Sequence, residues 1–382
     1  MKTKHLLPVL ASLSLLCYSG MAQDETEQRI HVTGYINAVA EYSDCINLKK
    51  DWAVGLSEVG FLANYKPVDK LEFKTTLVYT HFTFHVSQIF VEAYAQYNFS
   101  DALKLGAGRF LTPLSPVNLY FYAPLNPSGV VPMLVSHHFL FPQSISGLHL
   151  HGNLGSGGSL KFGYNFTLGT YPYINHFESG VLSIQAQEDS YPSFGFYDTE
   201  NDKINKYMCG TARVYATLNN AFTLGANYFK ADAQQVTQNN QGDFIYYPST
   251  KYTYGFDAHL QVSNLKLNAE YWAGKQETTP KTDAILGEHI VNEYKAYYGE
   301  LIWDGDVYKP FLRYDFIEDV NVNKVGLPTT AATLGIAIRP RFETLLKLEY
   351  KRVFGRQITD IANRLWKDYD YNYAQMSLVV SF

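Results

Sequence analysis

Apolar and polar residues alternate with a period of two in segment after segment of this chain. Leu160, Phe162, Tyr164, Phe166 and Leu168 fall on one side of their segment, and Lys161, Gly163, Asn165 and Thr167 fall on the other. The same holds for Tyr252, Tyr254, Phe256, Ala258, Leu260 and Val262 against Thr253, Gly255, Asp257, His259 and Gln261. A period of two is the geometry of an extended strand with two unlike faces. A chain that repeats it this often folds as an all-β protein.

Composition narrows the class further. The 382 residues include 31 Tyr and 24 Phe, too many aromatics for a disordered chain. Three Cys are too few for a disulfide scaffold, and a net charge of −5 does not suit a protein that binds nucleic acid. Past the N-terminus no apolar run reaches the length of a membrane helix.

Residues 1–22 read as a secretory signal peptide. Lys2 and Lys4 supply the positive start, Leu6 to Leu16 the apolar stretch, and Gly20-Met21-Ala22 the small residues read by a signal peptidase. Cys17 follows Leu16 rather than a small residue, which argues against a lipoprotein. The mature chain, 23–382, keeps Cys45 and Cys209, which fall far apart and are expected as free thiols.

Sixteen strands are expected, at about 29–42, 53–66, 71–82, 87–99, 102–111, 146–154, 159–170, 207–219, 222–234, 252–264, 265–276, 293–304, 307–319, 330–341, 344–354 and 371–382. Tight connections such as Ser100-Asp101, Asn219-Asn220 and Asp304-Gly305-Asp306 alternate with long ones at 112–145, 171–206, 235–251, 277–292 and 355–370. The connection at 82–87 is short where a long one is due. An even number of strands of about ten residues, with turns on one rim and loops on the other, is the pattern of a transmembrane antiparallel β-barrel. The loops would face outward and the turns the periplasm. Ala374, Met376, Leu378, Val380 and the terminal Phe382 share one face of the last strand. A terminal aromatic placed this way resembles the signal that outer-membrane barrels present to the β-barrel assembly machinery.

The strand count and the long third loop resemble the sixteen-stranded porins of Gram-negative outer membranes. Val91-Glu92-Ala93-Tyr94, followed by Leu103-Lys104-Leu105-Gly106-Ala107-Gly108-Arg109-Phe110-Leu111-Thr112-Pro113, resembles the phosphate-selective porin O/P group. In that group a strand, a short turn and a Gly-Arg/Gln-Phe-x-x-Pro segment lead into the inward-folding loop. The resemblance implies a passive channel among outer-membrane lipid and lipopolysaccharide, commonly a homotrimer, narrowed by a third loop folded into the lumen.

Strand parity assigns the charges, since the lipid face must be apolar and the lumen is wet. The lumenal acids are Glu41, Glu58, Glu72, Glu92, Asp257, Glu270, Glu300, Asp315 and Glu349. The lumenal bases are Lys66, Lys74, Lys104, Lys161, Arg213, Lys266, Lys309, Arg313, Arg339, Lys347 and Lys351. Four of the acids lie on strands one to four and five of the bases on strands thirteen to fifteen, which sets a field across the lumen. Arg109 breaks the parity; a bulge turning it inward is expected, with a position in the headgroup region as the alternative.

The third loop, 112–145, carries no Asp, Glu, Lys or Arg but six prolines, and its aromatics include Tyr120, Phe121, Tyr122, Phe139 and Phe141. A stiff, uncharged aromatic loop offers sugar rings or apolar solutes a surface to stack on, or packs against the wall. Phosphate-selective pores resemble a ladder of Arg and Lys instead, so phosphate selectivity does not carry over. His137 and His138 on the loop, with His149 and His151 pointing inward from the next strand, are pore-facing imidazoles. Without a carboxylate at ligand spacing they read as hydrogen-bonding residues rather than a metal site. Asp198-Thr199-Glu200-Asn201-Asp202 lacks the glycine and distant glutamate of a calcium loop. Ile358, Ile361, Ala362, Leu365 and Trp366 suggest a short amphipathic helix in the eighth loop.

The constriction is therefore expected among Tyr120, Tyr122, His137, His138, His149, His151, Glu58, Glu72, Glu92, Arg313, Arg339, Lys347 and Lys351. No cofactor is implied, and no nucleophile, base and orienting group form a catalytic motif. The expected function is passive diffusion of small hydrophilic solutes or ions. A sugar- or phosphate-selective channel is the nearer alternative, and a non-conducting adhesive barrel or an outer-membrane enzyme the more distant one.

Overall fold

A computed structural model describes residues 29–44, 51–80, 89–119, 122–136, 140–155, 158–172, 206–238, 244–320, 328–360 and 365–382. The signal segment, Cys45, Tyr120, His137, His138 and the acidic run at 198–202 lie outside the described residues.

The chain forms a closed antiparallel barrel of sixteen strands in which each strand pairs with its neighbours in sequence and the first meets the last. The first half comprises β1 (Ile30–Ser43), β2 (Asp51–Val68), β3 (Leu71–Thr80), β4 (Phe90–Ser100), β5 (Leu103–Leu111), β6 (Ser144–Leu154), β7 (Leu160–Pro172) and β8 (Lys206–Leu218). The second half comprises β9 (Phe222–Gln238), β10 (Phe244–Val262), β11 (Leu265–Thr278), β12 (Val291–Trp303), β13 (Tyr308–Val320), β14 (Thr329–Arg341), β15 (Thr344–Asp360) and β16 (Leu365–Ser381). Among the described residues three short helices interrupt the loops: α1 (Pro116–Leu119), α2 (Met133–Ser136) and α3 (Pro280–Leu286). None of the described helices is long and apolar enough to cross a membrane.

Closure gives every strand a neighbour on both sides, which is what a lipid setting demands of backbone N–H and C=O groups. Tyr35–Ser43 of β1 pairs with Tyr373–Ser381 of β16. The backbones of Gly34 and Phe382 extend the seam by exchanging hydrogen bonds at 2.8 and 2.9 Å.

Parity separates the faces as expected. Leu148, Leu168, Val214, Leu224, Phe256, Leu312, Leu334, Met376, Leu378 and Val380 are exposed on the outside, where lipid covers such residues. Aromatic pairs sit toward both rims of that surface. Tyr65 and Phe73 stack at 6.1 Å near the tight turns, and Tyr42 and Trp52 lie 5.2 Å apart near the loops. Such belts suit the headgroup regions of a bilayer.

Two expected loops are corrected. β9 and β10 run on as a hairpin beyond 234 and before 252, with Val236 opposite Tyr246. β15 and β16 do the same, and Ile358 faces Trp366 across the hairpin. Ile358, Leu365 and Trp366 therefore belong to strands and not to a helix. In both places two long strands satisfy each other's backbone groups, and neither segment has a local reason to coil. Arg109 is a third correction. The β5–β6 ladder is unbroken from Lys104 to Leu111, so no bulge turns Arg109 inward, and it stays in the outward row opposite exposed Ser146.

Candidate functional site

The third loop leaves β5 at Thr112, crosses the lumen and returns to β6 at Ser144. Its stem is closed by Thr112 N–H donating to the Gln143 carbonyl at 2.9 Å. The Asn118 amide fastens both sides, donating to the carbonyls of Thr112 at 2.9 Å and Gln143 at 3.0 Å. Prolines limit the loop's internal hydrogen bonding, so much of its backbone takes partners from the wall.

Those partners are the inward charges. On the near side the Tyr122 hydroxyl donates to Glu92 Oε2 at 3.0 Å, and the same oxygen accepts from Thr76 at 3.0 Å and from Lys74 at 2.9 Å. Ser115 donates to Glu270 Oε1 at 2.8 Å, while Trp272 and Tyr298 donate to the same carboxylate at 3.0 and 3.1 Å. Thr253 donates to the Leu140 carbonyl at 3.1 Å. Met133 N–H donates to Asp315 Oδ1 at 3.0 Å.

The tip, Ser128–Val130, reaches β15. Glu349 Oε2 accepts from the Ser128 hydroxyl at 2.9 Å, from Gly129 N–H at 2.8 Å and from Val130 N–H at 3.3 Å. Lys347 Nζ donates to the Ser128 carbonyl at 2.9 Å, and Arg313 Nη1 to the Ser128 hydroxyl at 3.0 Å. Arg339 Nη2 donates to the Pro124 carbonyl at 2.6 Å. Arg313 is itself held by Asp315 at 2.9 Å, with Glu300 and Glu349 at 3.6 and 3.9 Å.

Apolar packing seals the same contact. Leu114, Met133, Leu134, Val135, Leu140 and Phe141 of the loop form one core with Phe229, Trp272, Ala296, Tyr298, Ile317 and Val353 of the inner wall. Phe141 lies 4.7 Å from Trp272, centroid to centroid. Ala123 packs with Tyr35, Ala337, Leu345 and Val379, and Tyr122 with Val78, Val91 and Leu111.

The loop thus divides the inner wall into a dry part and a wet part. Under it, Arg313 is 1% exposed, Lys347 3%, Glu92 4% and Tyr122 3%. These four expected constriction residues fasten the loop and do not face open water, because the loop covers them. Away from it, inward residues of β1, β2, β15 and β16 keep solvent contact. Glu41, Ser57, Asn64, Lys351, Tyr373 and Gln375 are half-buried, and Ala53 and Gly55 are exposed.

Of the remaining expected residues, all but Tyr120, His137 and His138 are also placed. Glu58 accepts from the Tyr35 hydroxyl, and Glu72 accepts from Asn64 Nδ2 at 2.7 Å. Arg339 is half-buried. His149 and His151 stack with ring centroids 4.3 Å apart. Their Nε2 atoms lie 3.1 Å from Asn165 Oδ1 and 2.8 Å from Gln96 Oε1. Among the described residues, no three His, Cys, Asp or Glu side chains gather to hold a metal ion. Cys209 is a buried free thiol.

Sequence reasoning did not anticipate Ser115, Ser128, Gly129 and Val130 as the loop's contacts with wall carboxylates. The available signal was an uncharged, proline-rich loop beside a surplus of inward charge.

These features define a sixteen-stranded barrel of the outer-membrane porin fold, with an internal third loop. The sequence matches no protein-family model, and no curated protein matches it. Among solved structures, OmpT, an outer membrane protein of Vibrio cholerae, superposes with a TM-score of 0.61 at 11% identity, covering 94% of this chain and 100% of its own. The anion-selective porin from Comamonas acidovorans gives 0.55 at 11% identity, over 92% of this chain and 99% of its own. The outer membrane channel DcaP of Acinetobacter baumannii gives 0.55 at 11% identity, over 95% and 100%. At such identities the likeness is one of fold.

Proposed function

We propose that this protein is an outer-membrane porin, a passive channel for small hydrophilic solutes or ions that performs no chemistry. The observation that carries the reading is the loop crossing the interior of a closed barrel while one side of the wall keeps solvent contact. A solute would pass along the parts of β1, β2, β15 and β16 that the loop leaves uncovered, where Glu41, Asn64, Lys351 and Gln375 offer both signs of charge and amide groups.

The two described aromatics among the loop's five favour a general channel over one built for sugar stacking. Tyr122 and Phe141 are each 3% exposed and turned into the wall, which withdraws their rings from solutes. The phosphate-selective porin O/P resemblance is kept only as a relationship in the β4–β5 segment, since Arg313 and Lys347 hold the loop. A homotrimer in the outer membrane, exported by residues 1–22 and assembled through Phe382, completes the proposal. One of the similar OmpT structures is a trimer form, with a TM-score of 0.58 at 11% identity over 93% of this chain and 100% of its own.

Single-channel conductance in a planar bilayer tests this, with maltose and phosphate titrated afterwards. Stepwise openings, grouped in threes for a trimer, are expected, with little block by either solute. Block by phosphate at low concentration would restore phosphate selectivity, and block by maltose would restore a sugar channel. Correctly folded protein that never conducts would overturn the channel reading in favour of an adhesive or structural barrel.

A further inference from the structure

The turn Ser128–Val130 at the tip of the third loop has the form of an anion-binding nest. Two successive backbone N–H groups converge on one oxygen, Glu349 Oε2, at 2.8 and 3.3 Å, and the Ser128 hydroxyl, whose single proton is shared between that oxygen at 2.9 Å and the Val130 carbonyl at 2.5 Å, lies beside them. Consecutive N–H groups of a turn concentrate positive potential and select carboxylates and other oxyanions. Two cations complete the surroundings. Lys347 Nζ holds the Ser128 carbonyl, and Arg313 holds the Ser128 hydroxyl from the other side. The anion in this nest is supplied by the barrel wall, 220 residues further along the chain from Gly129.

We propose that Glu349 is the positioning residue of the third loop, and that the nest it fills is a carboxylate-binding site in its own right. The inference rests on the channel reading for its consequence, since the position of the loop tip sets the width of the lane beside β15 and β16. Gly129 and Val130 border that lane, being half-buried where Ser128 is buried. A Cβ at 129 would lie 2.5 Å from Gln375 Oε1, which the end of that side chain can relieve by turning aside, and 3.5 Å from Glu349 Oε2, an ordinary contact, so the turn lies directly against both side chains.

A second observation points to an anion. Arg313 Nη2 and Glu349 Oε1 face each other at 3.9 Å, and neither has a hydrogen-bond partner among the described residues. Oε2 is committed to the loop, so Oε1 stands off the guanidinium. Shortening the side chain would leave Arg313 Nη2, the two N–H groups and the hydroxyl directed at one vacated volume. That volume has the size of the lost CH2–COO⁻ group, which acetate matches in shape and charge.

Tyr122–Glu92 and Ser115–Glu270 act near the stem. At the tip Lys347, Arg313 and Arg339 hold two carbonyls and a hydroxyl, while Glu349 takes the Gly129 and Val130 N–H groups. A tethered carboxylate also acts at high effective concentration, which keeps the nest filled by Glu349 in the intact protein.

The test is chemical rescue. Glu349→Ala should open and close at the loop about tenfold more often than the intact channel, the effect of losing hydrogen bonds to a charged group. Acetate at high concentration should quiet the variant, while chloride at equal ionic strength should not. Glu349→Gln, which retains the shape and an acceptor oxygen, should fall between. Limited proteolysis of the tip, with and without acetate, reads the same latch in folded protein that does not conduct, so a failed latch and a failed channel are told apart. Loop noise and tip protection unchanged in Glu349→Ala, or acetate acting no differently from chloride, would overturn the proposal.

Discussion

The hydroxyl of Tyr122, on the third loop, donates to Oε2 of Glu92, on β4, at 3.0 Å in the interior of the barrel. This contact ties the outgoing half of the loop to the wall, as Glu349 ties its tip.

Tyr122→Phe removes one of three donors to Glu92 and leaves Thr76 and Lys74 in place. A hydrogen bond to a buried charged group is worth about 1.5–3 kcal/mol. The loss should be confined to the loop. Amide exchange of residues 122–126 is expected to quicken while that of β4 and β5 stays unchanged.

Arg313 is fully enclosed beside Asp315, Glu300 and Glu349, and it is the cation that balances them. Arg313→Met would leave those carboxylates buried without it, a loss of about 3–5 kcal/mol. Thermal unfolding in detergent should show a lowered midpoint. Arg313→Lys should recover part of it, since an ammonium restores the charge without the planar fork.

Gly147 on β6 faces Gly169 on β7 where the two strands come close. A Cβ on Gly147 would meet the Leu168 carbonyl oxygen at 2.2 Å and the Gly169 Cα at 2.5 Å. Backbone cannot swing aside as a side chain can, so Gly147→Ala should destabilise the barrel by about 1–3 kcal/mol. Gly55→Ala is the control, because a Cβ there meets nothing within 4 Å. Denaturation midpoints of the two variants should separate.

In the sixth loop Asp283 accepts from the Thr278 hydroxyl and lies 2.9 Å from His289 Nδ1. The Thr278 hydrogen bond first, and His289 second, hold its carboxyl below the usual carboxylate range. A depressed folded value means that its stabilisation is complete above the unfolded value of about 3.9 and is lost as pH falls through the folded value. Exchange of residues 279–290, compared with a pH-independent reference amide, should therefore rise only in strong acid. Asp283→Asn should show the loosened loop at neutral pH and no acid step.

Much of the architecture was legible because strand parity is a local property. The third strand was expected at 71–82 and spans Leu71–Thr80, and Lys104, His149 and Asp257 fall on the inward side that alternation assigns them. Loop ends were less legible. Ile358 and Trp366 have a helical spacing, yet they pair across a hairpin whose ladder continues past the membrane-facing part of the barrel. Helix α3 carried its own signals, Thr279 as N-cap, Pro280 in the first turn and Gly287 in the left-handed region at φ 74°, but its stretch read simply as a loop.

By itself, the sequence determined the number of strands, their antiparallel order, the outward and inward faces and the rim on which the loops lie. Each of these follows from a period of two and the residues that interrupt it. Tertiary structure alone decided which inward charges are wet. Ser128 and Glu349 are 221 residues apart, and no local pattern announces that one will cover the other. Parity can send a carboxylate into the lumen, but water reaches it only where the third loop does not. That loop's course is set by the wall groups that satisfy its own unpaired backbone.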